Sequence, residues 1–184
     1  EIFGVKLEDV DADLRRAAKA VNFGIAYGQG AFGLSETLGI PRGEASDIIA
    51  KYFLRFAKVK QFMEDIIEEA KANGFVETMF GRRRYLDEFK SQNMNVRKFG
   101  ERAAINAPIQ GSASDLVKLA MINLHNEISI PMLLQVHDEL LFEVSEDKVE
   151  SALSSIRKKM ESVVDLRVPM KVNANVGSNW AKAH

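Results

Sequence analysis

The sequence contains no cysteine, which excludes a disulfide scaffold, a zinc site built on thiolates and a cysteine nucleophile. It also lacks any apolar run near the ~20 residues that a membrane-spanning helix needs. Neither charge dominates, because 25 Lys and Arg against 26 Asp and Glu leave a formal net charge of −1. Composition alone therefore does not favour a polyanionic partner. The chain begins without methionine or a signal pattern, and we expect it to be part of a longer protein.

What is present is a chain of 184 residues, 46% of them hydrophobic, enough for one domain or for one domain and part of another. Helical periodicity dominates, and a few strand-like runs accompany it. The order of these elements predicts an α+β fold, mostly helical, with a small antiparallel sheet that carries a carboxylate hairpin.

The spacing of apolar residues, caps and breakers predicts each element. The first helix begins at Asp11 or Asp13 and ends near Gly28. The other predicted helices are a short one to about Gly39, one opened by Pro41, one over 59–73, one ending before Pro108, one from Ser112 or Ser114, and one from Ser145 to about Val164. The predicted strands are 75–80, 132–136, 140–144 and 168–176.

The even charge balance hides a segregation along the chain. Residues 82–102 carry seven basic and three acidic side chains, and residues 127–150 carry one basic and seven acidic. The basic segment suits phosphate contacts and the acidic segment suits cation binding. Two differently charged solvated faces would produce the same pattern, so the motifs must decide between them.

Four residues of the first predicted helix recur every four positions: Arg15, Lys19, Phe23 and Tyr27. Steps of four place them along one ridge, about 100° away from the apolar stripe that contains Val21 and Ile25. Two cations followed by two rings suit a nucleoside triphosphate, with the cations at the phosphates and the rings at sugar and base. Packing of the two rings on a neighbouring helix, with both cations in solvent, explains the spacing equally well.

Two adjacent carboxylates stand between apolar strands, at His137-Asp138-Glu139. Like charges at a tight turn repel, and a divalent metal would relieve them, since Mg²⁺ favours one or two carboxylates plus substrate phosphate oxygens. A solvent-exposed acidic turn is the alternative, because Asp is common in turns.

Three long segments occur in an order that resembles the bacterial DNA polymerase I family, family A of the DNA polymerases. They are RRAAKAVNFGIAYG at 15–28, ERAAINAPIQG at 101–111 and QVHDEL at 135–140, and GRRR at 81–84 also fits. The resemblance extends over the whole chain. It implies a mainly fingers subdomain over 1–100, approximately, and the C-terminal part of a palm over 101–184.

The resemblance also implies roles for the motif residues. Arg15 and Lys19 would bind the incoming deoxynucleoside triphosphate, with Lys19 the candidate general acid toward pyrophosphate. Phe23 would pack on the sugar and base, and Tyr27 would lie near the templating position. Asp138 would bind metal with Glu139 in support, at a site for two Mg²⁺ ions. The residues implied to contact primer-template DNA are Arg102, Asn106, Gln110 and His137.

In this family the fingers helix swings over the nucleotide, so Gly24 and the 28–30 segment are candidate pivots. The family's second metal-binding aspartate lies upstream of the point where this chain begins, and none of Asp9, Asp11 and Asp13 takes its role. The thumb and exonuclease regions are expected to be absent as well. We therefore expect the isolated chain to be inactive until the rest of the polymerase, in the same or another chain, completes the site.

Two other functions remain open: a non-catalytic DNA-binding or structural fragment, and an enzyme that copies RNA or makes it. The resemblance favours the DNA-templated DNA polymerase, with no membrane partner and a cytoplasmic, nucleoid-associated location.

Overall fold

The computed structural model describes residues 5–183, and the first four residues and His184 lie outside the described part. The chain divides into two compact units, Glu1–Gly111 and Ser112–His184. Both units combine helices with one two-stranded antiparallel sheet. The predicted α+β class is therefore confirmed. None of the helices among the described residues is long and apolar enough to cross a membrane.

Four helices open the first unit: α1 (Ala12–Ala26), α2 (Ala31–Leu38), α3 (Arg42–Arg55) and α4 (Ala57–Asn73). Asp11 caps α1 by accepting a hydrogen bond from the backbone N of Leu14 at 2.7 Å, which satisfies one free N–H of the first turn. Gly39 and Gly74 end α2 and α4 in the left-handed conformation, as their positions predicted.

The core of these helices joins residues from α1, α2 and α3. Its buried members are Val21, Ile25, Leu34, Ala45, Ile48 and Tyr52. Val21 and Leu34 are fully buried, and burial of a side chain of this size contributes roughly 1.5–3 kcal/mol. The apolar stripe of α1 therefore faces the core, and the ridge one residue away from it is left outside.

A hairpin of β1 (Phe75–Glu77) and β2 (Arg83–Tyr85) follows α4. The strand predicted over 75–80 is wrong after Glu77, because Thr78 begins the turn. Its Oγ1 accepts hydrogen bonds from the backbone N atoms of Phe80 and Arg82, at 3.3 and 3.1 Å. Gly81 has φ of +79° and closes the turn.

A single helix of 34 residues, α5 (Met94–Glu127), stands where we predicted two. The predicted break at Pro108 is wrong. Proline removes one intrahelical hydrogen bond and crowds the carbonyl four residues earlier, at a cost of about 3 kcal/mol. The turns around it contain alanines, the strongest helix formers, which offset part of this cost. Packing adds to this, since Ala104 and Ile105 are buried just before the proline. The division between the two units falls inside α5, after Gly111.

The second unit contains the hairpin β3 (Met132–Val136) and β4 (Glu139–Phe142), then α6 (Val149–Glu161) and α7 (Trp180–Ala183). Pairing of Val136 with Glu139 leaves a loop of only two residues, so β4 begins and ends earlier than predicted. A 3₁₀ turn over Glu146–Lys148 follows Ser145, and α6 ends before Val164.

The strand predicted over 168–176 is wrong, because the structure assigns no strand to these residues. A strand needs a neighbour for its backbone groups, and the sheets in the described part of the chain pair β1 with β2 and β3 with β4. The backbone N of Val172 instead donates to Oε1 of Glu161 at 2.9 Å. Two large apolar side chains on the helices are exposed, Phe62 at 40% and Ile122 at 55%.

Candidate functional site

The ridge of α1 lies on the surface of the first unit. Arg15, Lys19 and Phe23 are exposed, and Tyr27 is half-buried at the end of the helix. The rings of Phe23 and Tyr27 stack on each other, with centroids 6.1 Å apart and planes inclined by 26°. Phe23 keeps 53% of its surface exposed, so the ring pair presents a flat apolar face beside two cations. Such a face can accept a ring from a ligand, and the cations can bind its phosphates.

A hydrogen bond from another helix holds the middle of this ridge. The hydroxyl of Tyr52 on α3 donates to Oδ1 of Asn22 at 3.0 Å. Asn22 precedes Phe23 in the chain, so the bond fixes α1 beside the exposed ring. Sequence patterns did not reveal this contact, because the two residues are 30 positions apart.

The first unit also brings the start of α5 to the end of α1. A Cβ at Gly28 would lie 3.2 Å from both Cγ of Arg102 and Cδ1 of Ile105. Arg102 is exposed, and its stem lies against the residue that follows Tyr27. Arg102, a candidate DNA contact, therefore lies next to the ring end of the ridge.

Arg102, Asn106 and Gln110 form a second row, spaced by four along α5. Because α5 continues through Pro108, the three residues share one ridge over a rise of about 12 Å. Arg102 and Gln110 are exposed, and Oδ1 of Asn106 is buried without a hydrogen-bond partner. The spacing of four is present in the sequence. A helix that ends before Pro108, as predicted, would not have placed Gln110 on the same ridge as Arg102 and Asn106.

Ion pairs within the first unit engage several cations of the basic segment. Arg83 pairs with Glu77 at 2.7 Å and its guanidinium lies 4.3 Å from the Phe75 ring centroid. Hydrogen bonding to Glu77 raises the pKa of Arg83 further. Arg84 also pairs with Glu88, and Lys90 with Asp87. Several basic side chains of residues 82–102 are therefore engaged in local ion pairs. The net positive charge counted from the sequence overstates the positive charge that is available to bind phosphates.

The candidate metal residues lie in the second unit, at the β3–β4 turn. His137 and Asp138 form the two-residue loop, and Glu139 begins β4. His137 has φ of +53°. The type I′ and type II′ turns that are favoured in two-residue hairpin loops both require a positive φ at this first loop residue. Nε2 of Gln135 donates to the His137 carbonyl at 2.9 Å and so holds the loop. This support was missed by sequence reasoning, which treated Gln135 only as part of a motif.

All three tip residues are exposed, so the two carboxylates are accessible from solvent. Carboxylate oxygens are the ligands that hard divalent cations prefer. Among residues 5–183, however, no three His, Asp or Glu side chains form a group able to enclose a metal ion. Asp138 and Glu139 therefore fit one side of a cation's coordination shell, with further oxygens needed from elsewhere.

Comparison with known proteins gives a consistent result. The sequence model described as DNA polymerase family A matches residues 1–182. DNA polymerase I of Pseudomonas aeruginosa is 50% identical over 189 residues, covering 100% of this chain and 21% of the relative. DNA polymerase I of Geobacillus stearothermophilus is 48% identical over 188 residues, covering 100% and 22%. The chain thus spans about a fifth of the length of these curated relatives.

A solved structure agrees in fold. The POL domain of Pol1 from M. smegmatis, in a complex with DNA primer-template and dNTP, superposes with a TM-score of 0.94 at 43% identity. The match covers 99% of this chain and 33% of that one.

Proposed function

Since this chain belongs to DNA polymerase family A, we propose that it forms part of a DNA-templated DNA polymerase, which adds deoxynucleotides to a primer 3′ end. In this proposal residues 1–100 are mainly the fingers and residues 101–184 the C-terminal part of the palm. The rest of the polymerase supplies the upstream palm and the thumb. The substrates are primer-template DNA and deoxynucleoside triphosphates, and their class suggests a cytoplasmic, nucleoid-associated location.

The observation that carries the proposal is the exposed ridge of α1. Arg15 and Lys19 are available to triphosphate oxygens, and the stacked pair of Phe23 and Tyr27 offers an apolar face to sugar and base. Arginine binds phosphate oxygens through paired N–H groups, and lysine acts as a mobile point charge. The combination supports recognition of a whole nucleotide.

The reaction forms a bond between the primer 3′ oxygen and the α-phosphorus and breaks the bond between that phosphorus and the oxygen leading to the β-phosphate. The 3′ hydroxyl gives its proton to solvent water, and pyrophosphate leaves as the second product. Lys19 is the candidate to donate a proton to the departing pyrophosphate, since its ammonium lies on the ridge that would hold the phosphates. Arg15 would hold the same phosphates in line for the attack.

Family A polymerases use divalent metal ions. We propose Mg²⁺, two ions in the complete site, with Asp138 as a ligand and Glu139 in support. When bound, such ions activate the attacking hydroxyl and neutralise charge on the leaving group. Gln135 would keep Asp138 oriented through its hydrogen bond to the loop.

DNA contacts are proposed for the α5 ridge and for the turn. Arg102, Asn106 and Gln110 lie along about 12 Å of α5, which spans several nucleotide steps. Arg102 and Gln110 are exposed, and Asn106 lies between them with its Oδ1 buried. His137 would add a contact from the turn of the second unit. Amide and guanidinium groups can bind both phosphate oxygens and base edges.

A chimera tests the proposal. In this chimera, the chain replaces the matching segment of the Geobacillus stearothermophilus DNA polymerase I. We expect it to extend a primer on a DNA template. Asp138→Asn should reduce extension by about a thousandfold, roughly 4 kcal/mol of transition-state stabilisation.

Glu143→Gln is the matched control, because Glu143 is an exposed carboxylate just after β4 with no assigned role. It should leave extension unchanged. A chimera that binds primer-template but does not extend it would instead support a non-catalytic DNA-binding fragment. Preference for an RNA template or for ribonucleotides would reassign the substrate. The isolated chain should not extend a primer, and extension abolished by Asp138→Ala would overturn that expectation.

A further inference from the structure

The end of α1 is fixed by a Schellman motif. The backbone N of Gly28 donates to the Ile25 carbonyl at 2.9 Å, and the backbone N of Gln29 donates to the Gly24 carbonyl at 2.8 Å. In this motif the side chain after the glycine usually makes an apolar contact with the last turn of the helix. Here that position holds glutamine, and the residue beneath it is Gly24.

The Gln29 side chain occupies a notch between two glycines on different helices. A Cβ at Gly24 on α1 would collide with Oε1 of Gln29, and a Cβ at Gly33 on α2 would lie 2.8 Å from its Cγ. A Cβ at either glycine would therefore displace the same side chain from the position that it occupies. The notch exists only because neither helix carries a side chain there.

A hydrogen-bond chain holds the far end of Gln29. Its Nε2 donates to Oγ1 of Thr37 at 2.9 Å, and that hydroxyl donates to the Gly33 carbonyl at 2.9 Å. Thr37 lies one turn after Gly33 on α2. Gln29 therefore contacts the last turn of α1 at its carbonyl end and is tied to α2 at its amide nitrogen.

We infer that Gln29 is a positioning residue for the nucleotide, acting through Phe23 and Tyr27. This inference rests on the proposed function. Both rings lie on the last turn of α1, where the backbone N of Tyr27 donates to the Phe23 carbonyl at 2.9 Å. By filling the notch and bonding to Thr37, Gln29 fixes the angle between α1 and α2 and keeps this turn from fraying. The stacked rings are then preorganised for a sugar and base.

Gln29→Ala in the chimera is the first test. It empties the notch and removes the bond, so the KM for deoxynucleotide should rise about fivefold, the factor for loss of one ordinary hydrogen bond. The kcat and the affinity for primer-template should change little, since ring positioning serves nucleotide binding. Gln29→Met fills the notch without the amide and should recover part of the loss. An unchanged nucleotide KM in an active Gln29→Ala chimera would overturn the inference.

Gly24→Ala provides a test that does not depend on activity. With Gln29 present, the new methyl collides with the glutamine, and amide hydrogen exchange over residues 24–29 should accelerate. In the Gln29→Ala background the collision is removed and the methyl keeps an ordinary van der Waals contact, 3.7 Å from the Cβ that remains at residue 29. Gly24→Ala should then slow exchange there, because alanine favours helix. We expect this change of sign in the effect of Gly24→Ala on the exchange rate only if the Gln29 side chain occupies the notch. The same effect in both backgrounds would contradict the occupied notch.

The two tests separate this inference from the proposed function. If the chimera carrying the unaltered segment does not extend a primer, the proposed function fails. The exchange cycle, which compares hydrogen exchange in Gly24→Ala with and without Gln29→Ala, then decides alone whether Gln29 holds α1 and α2. If the chimera extends the primer but the exchange cycle shows no reversal, the positioning role of Gln29 fails and the polymerase assignment stands.

Discussion

The hydroxyl of Tyr52 donates to Oδ1 of Asn22, 3.0 Å away, and so joins α3 to the helix that carries the candidate nucleotide-binding ridge. Tyr52 is 5% exposed, and its ring centroid lies 4.9 Å from that of Phe56. Burial raises the pKa of Tyr52. The neutral phenol is therefore favoured, in the form that donates to Asn22.

Tyr52→Phe should lower the free energy of unfolding by about 0.5–1.5 kcal/mol, the usual net value of one hydrogen bond. The ring packing is retained and Asn22 is exposed, so its amide can bind water instead. Urea unfolding measures the change. In an Asn22→Ala background the same substitution should cost clearly less, and equal costs in the two backgrounds would show that the bond contributes nothing.

Gly28→Ala should destabilise the protein by about 1–2 kcal/mol, because Gly28 has φ of +77°, where a side chain is strained. The new Cβ would also crowd Arg102 and Ile105 at 3.2 Å. Gly43→Ala is the control, since Gly43 lies inside α3, has no positive φ, and its Cβ would meet nothing within 4 Å. Thermal unfolding should show a lower unfolding temperature for Gly28→Ala than for the control variant. Similar losses of stability in both variants would contradict the explanation by the positive φ of Gly28.

Phe23→Tyr in the chimera should ease incorporation of dideoxynucleotides relative to deoxynucleotides. The added hydroxyl would lie where the family resemblance places the sugar, and one hydrogen bond of about 1.4 kcal/mol corresponds to about tenfold in selectivity. Competitive incorporation on one template measures it. Phe32→Tyr adds the same hydroxyl to an exposed ring on α2 and should have no effect. Unchanged selectivity in Phe23→Tyr would count against the assigned ring position.

The Asp87–Lys90 pair should make a small contribution to stability that depends on pH. The Lys90 ammonium, 2.7 Å away, lowers the pKa of Asp87, and Asp87 raises the pKa of Lys90. The Asp87 contribution is present above the unfolded pKa of about 4 and is lost as pH falls through the lower folded value. The Lys90 contribution is present below its unfolded pKa and is lost as pH rises through the folded one.

Lys90→Gln should bring the Asp87 carboxyl pKa back toward its ordinary value, which a carboxyl NMR titration can measure. Lys98→Gln, an exposed lysine in the same basic segment, is the control and should leave it in place. A low Asp87 pKa that persists in Lys90→Gln would assign the shift to another cause.

Local patterns predicted the four helices from Ala12 to Asn73 well. The Asp11 cap, the glycine stops at Gly39 and Gly74, and the buried stripe of α1 all depend on neighbours within one or two turns. The prediction at Pro108 was wrong because it treated proline as the end of an isolated helix. Burial of Ala104 and Ile105 stabilises this part of α5 by tertiary packing. Residues 168–176 have the alternation of a strand, but pairing depends on a partner strand, which periodicity cannot supply.

The candidate site also has a part that local spacing predicts and a part that depends on contacts between helices. Spacing alone identified the ridge of α1, because four residues at steps of four share a face in any helix. The supports of that ridge were not visible in the sequence. Tyr52 reaches Asn22 from another helix, and Gln29 depends on glycines at two other positions. Such contacts are set by the packing of elements, which periodicity does not encode.

The uninterrupted course of α5 through Pro108 limits how this protein can change length. Removing or inserting one residue between Asn106 and Gln110 would turn Gln110 about the axis of α5, relative to Arg102 and Asn106, by about 100° and shift it by about 1.5 Å. The ridge would then lose its register, even if every side chain were kept. Substitutions in this stretch should therefore be tolerated far more readily than single-residue insertions or deletions, whereas the exposed turn at residues 78–82 carries no such constraint from helical phase.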